Sequence, residues 1–350
     1  MRIASVASAL PRHVYSQSAL VEYLAREWAD DPEAVRRMQL LHSNVQVESR
    51  HTALPLEEYA KLRTFSEFND AYIRCAIDLG EQAISRALDR AGLRPRQVDA
   101  LFFSTVTGLA SPSIDARLIN RLGMRPDVKR MPLFGLGCVA GAATIARAAD
   151  YVKAYPDQIA VALTIELCSL TLQRSDRSMA NLISTGLFGD GASATVVAGE
   201  RRREGDGPSV RATRSVFYPD TEEVMGWHIG TDGFRIVLSP AVPSVAREYL
   251  PRDVDAFLKD HGLSRSQIAS WVCHPGGPKV LSAMRDGLGL TDEDLAVSWS
   301  SLRRAGNLSS ASLMLILEET MASRRPAKGS NGMMLAMGPG FCSELLLLQW

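Results

Sequence analysis

The sequence predicts an α/β fold built from two duplicated halves, with a functional site between them. Three observations carry this reading. Short β-rich runs alternate with longer helical patterns along all 350 residues, the mark of an α/β architecture. The segment Leu88-Asp89-Arg90-Ala91-Gly92-Leu93 to Gln97-Val98 is similar to Leu258-Lys259-Asp260-His261-Gly262-Leu263 to Gln267-Ile268, 170 residues later. Carrying the same offset forward brings Gly137-Cys138 into register, within one residue, with Gly306-Asn307.

Met1 leads directly into Arg2-Ile3-Ala4-Ser5-Val6, which reads as a first strand. Further strands are expected at 98–105, 159–164, 194–198, 268–273 and 332–337, each rich in β-branched or apolar residues. Helices are expected at 76–91, 140–152, 254–261 and 309–322. Both copies of the repeat read as a helix end, a Gly-Leu turn, a short Gln-Val or Gln-Ile segment and an apolar strand. No low-complexity linker divides the chain, and Arg201 to Pro208 is the one loop-like stretch of any size. The duplication places the halves at 1–212 and 213–350.

Composition removes several functions. Lys plus Arg equals Asp plus Glu at 39 each, so no global field draws the chain to nucleic acid or an anionic membrane. Five scattered cysteines with no CxxC pair argue against a disulfide framework or a structural metal site, and for a reducing, cytoplasmic setting. No secretory leader and no bilayer-length apolar run is present.

Three residues stand out chemically. Cys138 lies between glycines in Gly135-Leu136-Gly137-Cys138-Val139-Ala140-Gly141, at the start of a helix of small residues. Such a turn projects the sulfur, and the helix N-terminus is expected to lower the thiol pKa. A free cysteine more often packs as a small hydrophobe, and the glycine setting sets Cys138 apart from Cys75, Cys168, Cys273 and Cys342. His274 ends the strand Ser270-Trp271-Val272-Cys273 and opens the loop Pro275-Gly276-Gly277-Pro278, where α/β folds place functional groups. Asn307 sits in the glycine turn Ala305-Gly306-Asn307-Leu308-Ser309-Ser310, before a second helix of small residues. Taken singly, His274 and Asn307 read as ordinary cap or core residues. Taken together, the cysteine falls in one half and its partners in the other. His13, His42, His51 and His261 read as surface or turn residues, and His228 as ambiguous.

At this point the chain resembles the type III polyketide synthases, which include the chalcone and stilbene synthases, within the thiolase-like fold. The resemblance rests on Gly137-Cys138-Val139-Ala140-Gly141, Leu187-Phe188-Gly189-Asp190-Gly191-Ala192, His274-Pro275-Gly276-Gly277, Gly306-Asn307-Leu308-Ser309-Ser310 and Gly338-Pro339-Gly340-Phe341. It implies a layered αβαβα architecture with Cys138, His274 and Asn307 as the catalytic triad. Phe188 and Phe234 would be gatekeepers of the substrate cavity, with Ser309, Thr171 and Ser111 lining it and Arg37 meeting the CoA phosphates. Ser111 stands where plant members carry a methionine that reaches the partner subunit's pocket, and most of the plant enzymes' CoA-phosphate contacts lack counterparts, so the chain looks like a bacterial-type member. The resemblance further implies a cytoplasmic homodimer that uses acyl-CoA and malonyl-CoA thioesters, with no metal and no redox cofactor. Its cycle would load a starter on Cys138, decarboxylate malonyl-CoA and cyclise the extended chain. The small Ser111 and Thr171 point to room for an alkyl tail, hence to a fatty acyl starter closed to a pyrone or resorcinol. Each buried methylene would favour such a starter by roughly 0.8 kcal/mol. Two alternatives stand beside this reading: a carrier-protein-dependent ketoacyl synthase of the same fold, and a catalytically silent scaffold or binding protein. Intact Cys138, His274 and Asn307 disfavour the second.

Overall fold

A computed structural model describes residues 1–350. The first half runs through β1 (Arg2–Ala9), β2 (His13–Ser16), α1 (Gln17–Glu27), α2 (Pro32–Asn44), β3 (Ser49–Thr52), α3 (Leu56–Tyr59) and α4 (Phe65–Arg90). It continues with β4 (Ala100–Thr105), α5 (Ile114–Leu122), β5 (Lys129–Phe134), α6 (Ala140–Ala154), β6 (Ile159–Leu167), α7 (Met179–Leu187) and β7 (Asp190–Ala198). The second half comprises β8 (Ser209–Phe217), β9 (Met225–Gly230), β10 (Gly233–Leu238), α8 (Val242–Asp260) and β11 (Ile268–Cys273). It ends with α9 (Pro278–Leu288), α10 (Ala296–Ala305), α11 (Ser310–Ser323), β12 (Asn331–Gly338) and β13 (Cys342–Gln349).

The duplication is explicit in the strand order. Nine strands follow one another as β11-β12-β13-β8-β1-β7-β6-β4-β5. The run β4-β6-β7-β1 in the first half recurs as β11-β12-β13-β8 in the second, and β5 is an extra edge strand. The halves join where β1 meets β8, through Arg2 opposite Ser209 and the bonds Val210 N to Met1 O (3.1 Å) and Ile3 N to Pro208 O (2.9 Å). The sequence repeat marks one geometry used twice. Gly92 and Gly262 take φ of 67° and 69°, left-handed values that glycine adopts without a Cβ penalty. Leu93 N donates to Leu88 O and Leu263 N to Leu258 O, both at 2.9 Å, closing each helix end. Gln97 and Gln267 then accept from the backbone N–H groups of Arg94 and Ser264 at 2.8 and 2.9 Å.

Alternation along the strands builds five layers. Ile159, Val161, Leu163 and Ile165 of β6 face α4 in one core, while Ala160 and Ala162 face α6 in a second. In the other half, Met333, Leu335 and Met337 of β12 pack outward with Leu250, Val254 and Phe257 of α8, and Met334 and Ala336 face the central core. The order is α4–sheet–α6 with α11–sheet–α8 with α9, the expected αβαβα arrangement. At its closest approach the inner layer leaves no room for a side chain: a Cβ on Gly141 of α6 would stand 2.3 Å from Ser310 O at the start of α11.

Several boundaries differ from the sequence reading. The division after residue 212 falls inside β8, most of which pairs with β13. α4 begins at Phe65, eleven residues before the expected start at 76, because Thr64 and Glu67 cap it reciprocally. α8 begins at Val242 and continues through Pro251, which hides its first half from a helical reading. His42 is buried rather than superficial, its Nε2 3.0 Å from Leu182 O. No helix is long and apolar enough to cross a membrane.

The approach of α6 to α11 yields a test of this packing. Gly141→Ala sets a methyl group against a backbone carbonyl that cannot rotate away, and should destabilise by about 1–3 kcal/mol. Gly230→Ala, where no atom lies within 4 Å of the added carbon, should stay within about 0.5 kcal/mol of the parent. Urea unfolding midpoints of the two variants would check the contrast.

Candidate active site

The ends of both halves converge on Cys138. A helical turn over Gly137–Val139 leads into α6, with Gly137 at φ 52°, and the thiol is 5% exposed at the floor of a cavity. The chain after β12 closes over that turn. A Cβ on Gly338 would lie 2.6 Å from Val139 N, and one on Gly137 2.8 Å from Pro339. Ser309, at φ 49°, places its Oγ to accept from the Cys138 thiol, with Sγ to Oγ at 3.8 Å. The Asn307 side chain lies near enough to favour a thiolate there, and its Oδ1 accepts from Ser309 N at 2.8 Å. Cys138, Asn307 and Ser309 therefore form one contact group.

His274 arrives from β11. Its backbone N–H donates to Leu335 O of β12 (3.0 Å), on the strand that leads to Gly338-Pro339. The imidazole is 2% exposed, and neither ring nitrogen has a hydrogen-bond partner within the protein. An unpaired buried polar group costs about 1–3 kcal/mol, so this ring is kept for something other than stability.

Burial sets the charge state of the site. It pushes the Cys138 thiol up to about 12, against the opposing influence of Ser309 and Asn307. The lowered thiol expected from the helix N-terminus is thus corrected, since enclosure outweighs the dipole. Burial also pulls His274 down to about 3. A lone thiolate and a lone imidazolium are each disfavoured, whereas a proton moved from one to the other leaves the net charge of the site unchanged.

Glu166 was missed by the sequence reading. It interrupts the apolar strand β6, and a carboxylate inside a continuous apolar run was the available signal. Fully buried, it accepts from Ser310 Oγ (2.5 Å), Thr107 Oγ1 (2.9 Å) and Val106 N (3.1 Å). Burial raises its carboxyl to about 7 despite these bonds, and its charge in turn disfavours a thiolate at Cys138. Arg50 was missed as well. It is a buried guanidinium on the cavity wall that donates to Phe188 O (2.9 Å) and Gln17 Oε1 (3.2 Å), fixing the backbone beside Phe188.

The cavity extends from Cys138 between α1 and the β9–β10 hairpin. Phe188, Phe234, Thr171 and Ser309 line it, as the sequence suggested. Phe234 is held edge-on by Phe65 and Trp227, with ring centroids at 5.6 and 5.8 Å. His274 and Asn307 stand behind the lining. Two expected residues lie elsewhere. Ser111 is exposed on the outside of its own chain, in a turn preceding α5, and lines no part of this cavity. Arg37 is exposed on α2, where its nearest acid is Glu33 at 4.0 Å. No cluster of three or more His, Cys, Asp or Glu side chains is arranged to hold a metal ion.

Comparisons with known proteins agree with this geometry. Residues 1–201 match the family described as chalcone and stilbene synthases, N-terminal domain, and residues 209–350 match its C-terminal domain. The chain is 50% identical to a 1,3,6,8-tetrahydroxynaphthalene synthase from Streptomyces peucetius subsp. caesius, over 99% of this chain and 93% of that protein. It is 36% identical to a putative chalcone synthase of Bacillus subtilis, over 99% and 98%. The crystal structure of 1,3,6,8-tetrahydroxynaphthalene synthase from Streptomyces coelicolor A3(2), a bacterial type III polyketide synthase, superposes with a TM-score of 0.93 at 30% identity, covering 100% of this chain and 99% of that one.

Glu166 offers a pH test of the site's enclosure. Its folded pKa of about 7 exceeds the ordinary 4.5, so the unfolded chain ionises first as pH rises. Its contribution to stability is therefore intact below about 4.5 and is lost as pH climbs through about 7. Glu166→Gln keeps the acceptor for Val106 and Thr107 without the charge. It should raise stability over wild type by a few kcal/mol near pH 8, and by progressively less towards pH 5. A stability difference that does not vary with pH would contradict this assignment.

Proposed function

Because the chain belongs to the chalcone and stilbene synthase family, the type III polyketide synthases, we propose that Cys138 carries the growing acyl chain while His274 and Asn307 drive malonyl-CoA decarboxylation. The observation that supports this most directly is the buried His274 ring with both nitrogens free, beside a strand that leads to the Cys138 turn. In the loading step the Cys138 proton passes to His274, and the sulfur attacks the starter thioester and expels CoA. Malonyl-CoA follows. Loss of carbon dioxide leaves its electron pair as an enolate, whose oxygen the His274 and Asn307 N–H groups stabilise. The enolate carbon attacks the acyl-cysteine and releases the thiolate for a further round. Phe188 and the Phe65–Phe234–Trp227 cluster provide an apolar surface that favours the neutral product over the malonyl carboxylate. Arg37 stands ready on α2 for a CoA phosphate. Activity on free malonyl-CoA, with no carrier protein, separates this reading from a carrier-protein-dependent ketoacyl synthase.

The starter is read here as malonyl-CoA itself, with a polyhydroxylated carbocycle as product. The relative sharing half of its residues with this chain is named for a naphthalene that bears hydroxyl groups and no alkyl branch, a skeleton that malonyl units suffice to build. The fatty acyl starter, closed to a pyrone or resorcinol, rested on Ser111 and Thr171. Thr171 lines the cavity of its own chain and Ser111 faces outward, where the resemblance puts a residue reaching the partner subunit, and Leu20, Leu24, Leu56 and Leu172 give the cavity an apolar flank that an alkyl tail could use.

The assembly is read as a homodimer that buries the edge strand β5. Phe134 and Leu109 are exposed large hydrophobics, and Ser111 is exposed in the turn that follows Leu109. Light scattering should give twice the 38.2 kDa chain mass at micromolar concentration.

Incubation with malonyl-CoA alone should yield a hydroxylated aromatic compound, identified by mass spectrometry. A higher kcat/KM for long acyl-CoA starters would favour the alkyl reading instead. Cys138→Ala should abolish loading yet retain slow release of carbon dioxide from malonyl-CoA. Asn307→Ala should lower that release by about 100-fold or more, the usual effect of removing one oxyanion donor. Wild-type decarboxylation in Asn307→Ala would remove that residue from the mechanism.

A further inference from the structure

A second polar assembly lies in the cavity and takes no part in the cycle above. Tyr59 of α3 and Ser169, just after β6, both line the cavity, and Asp190 at the start of β7 lies fully buried behind them. Tyr59 Oη and Ser169 Oγ are 2.5 Å apart, and Ser169 Oγ donates in turn to Asp190 Oδ2. The proton directions follow from the surrounding donors. Asp190 accepts from Ser169 N (2.8 Å) and Ala53 N (2.6 Å), so its carboxylate is the acceptor end. Leu54 N donates to Tyr59 Oη at 3.3 Å. Ser169 therefore gives its proton to Asp190 and receives that of Tyr59, and every proton in the chain points away from the cavity.

We propose that Tyr59, Ser169 and Asp190 form a proton relay that serves carbon–carbon ring closure of the extended polyketide. The proposal rests on the functional reading above. A methylene between two carbonyls gives its proton to Tyr59 Oη as the Tyr59 proton moves to Ser169 and the Ser169 proton to Asp190. The C–H electron pair remains on the substrate as an enolate. Its carbon attacks a ketone carbon along the chain, forming the C–C bond and moving the carbonyl π pair onto oxygen. That alkoxide recovers the proton as the relay runs backwards, and Asp190 returns to its carboxylate. The alcohol then loses water to give the ring. No oxidant or further reactant is consumed.

The surroundings suit a borrowed proton. The ionisable groups facing Asp190 are Arg50 from β3, Tyr59 from α3, Cys75 from α4 and Cys168 beside Ser169. Arg50 is the only cation among them and holds the carboxylate charged, while burial raises Asp190 to about 6. A base in that range accepts a proton at neutral pH and readily returns it. A polyketide thioester that meets no such base closes through its own enol oxygen and leaves as a lactone. The relay would thus decide between carbocycle and lactone.

The test compares wild type, Tyr59→Phe, Ser169→Ala and Ser169→Thr, each incubated with malonyl-CoA between about pH 5.5 and 8. Malonyl-CoA consumption and the carbocycle-to-lactone ratio are read by liquid chromatography and mass spectrometry. Per malonyl-CoA consumed, Tyr59→Phe and Ser169→Ala should lower the ratio about tenfold or more, and Ser169→Thr, which keeps the hydroxyl, should restore it. In wild type the ratio should fall as pH drops through about 6, where Asp190 is already protonated, and this limb should vanish in the first two variants. The relay is overturned if both variants keep the wild-type ratio and its pH limb. It is also overturned if both stop consuming malonyl-CoA, which would make the assembly structural. Malonyl-CoA left untouched by the wild-type protein would instead sink the functional reading, and the relay with it.

Discussion

The architecture depends on one close approach, that of the N-termini of α6 and α11 in the central layer. Each helix belongs to a different half, and both lie between the strands of the two halves, α11 resting largely on β1 and β7 of the first. They can pack side by side only because Gly141 presents no side chain to the Ser310 carbonyl. The runs of alanine in α6 and of serine and alanine in α11 serve the same closeness. That contact brings Cys138, at the head of one helix, against Asn307 and Ser309, at the head of the other. No single half could assemble this group, so the chemistry exists only where the two halves meet.

Enclosure then governs what the site can do. The thiol, the imidazole and the carboxyls of Glu166 and Asp190 all lie away from water, and in each case desolvation is the largest influence on the proton. In such a place a charge is tolerated when it is created and answered within the same cluster. Under the proposed mechanism, moving a proton from Cys138 to His274 would meet that condition, and so would an enolate formed between the His274 and Asn307 donors. The exposed acids and bases of the surface meet no such constraint, and their ion pairs contribute little. Enclosure therefore explains why the reacting groups are few and internal in a chain whose charges balance.

What was legible in the sequence was whatever the duplication wrote twice. The Gly92 and Gly262 turns need left-handed backbone, and glycine announces that need in the one-letter code. Cys138 and Asn307 were recovered because glycines frame both helix starts. Glu166 was overlooked because its meaning lies in contacts with Val106 and Thr107 on one side and Ser310 on the other, from two distant places along the chain. Arg50 was hidden for the same reason, since nothing local distinguishes a buried arginine from a surface one. Ser111 is legible only through the resemblance, which puts it where a residue reaches the partner subunit's pocket, and the turn before α5 faces outward from its own chain.

The unread part has a common location. Little of the cavity wall belongs to the duplicated frame. Leu20, Tyr23, Leu24, Arg50, Leu56 and Tyr59 come from the segment between β1 and α4, and Met225, Trp227, Phe234, Ile236 and Leu238 from the hairpin between β8 and α8. Thr171, Asn181, Ser184 and Phe188 come from the link between β6 and β7, which has no helical counterpart between β12 and β13. The frame thus fixes the nucleophile and its partners, while the insertions fix what can lie against them. Substitutions in the insertions leave the close approach of α6 and α11 untouched, so the wall is free to change while the centre is held by packing. The wall thus sits on elements that carry no repeat and little periodicity, and only the folded chain gathers them around Cys138.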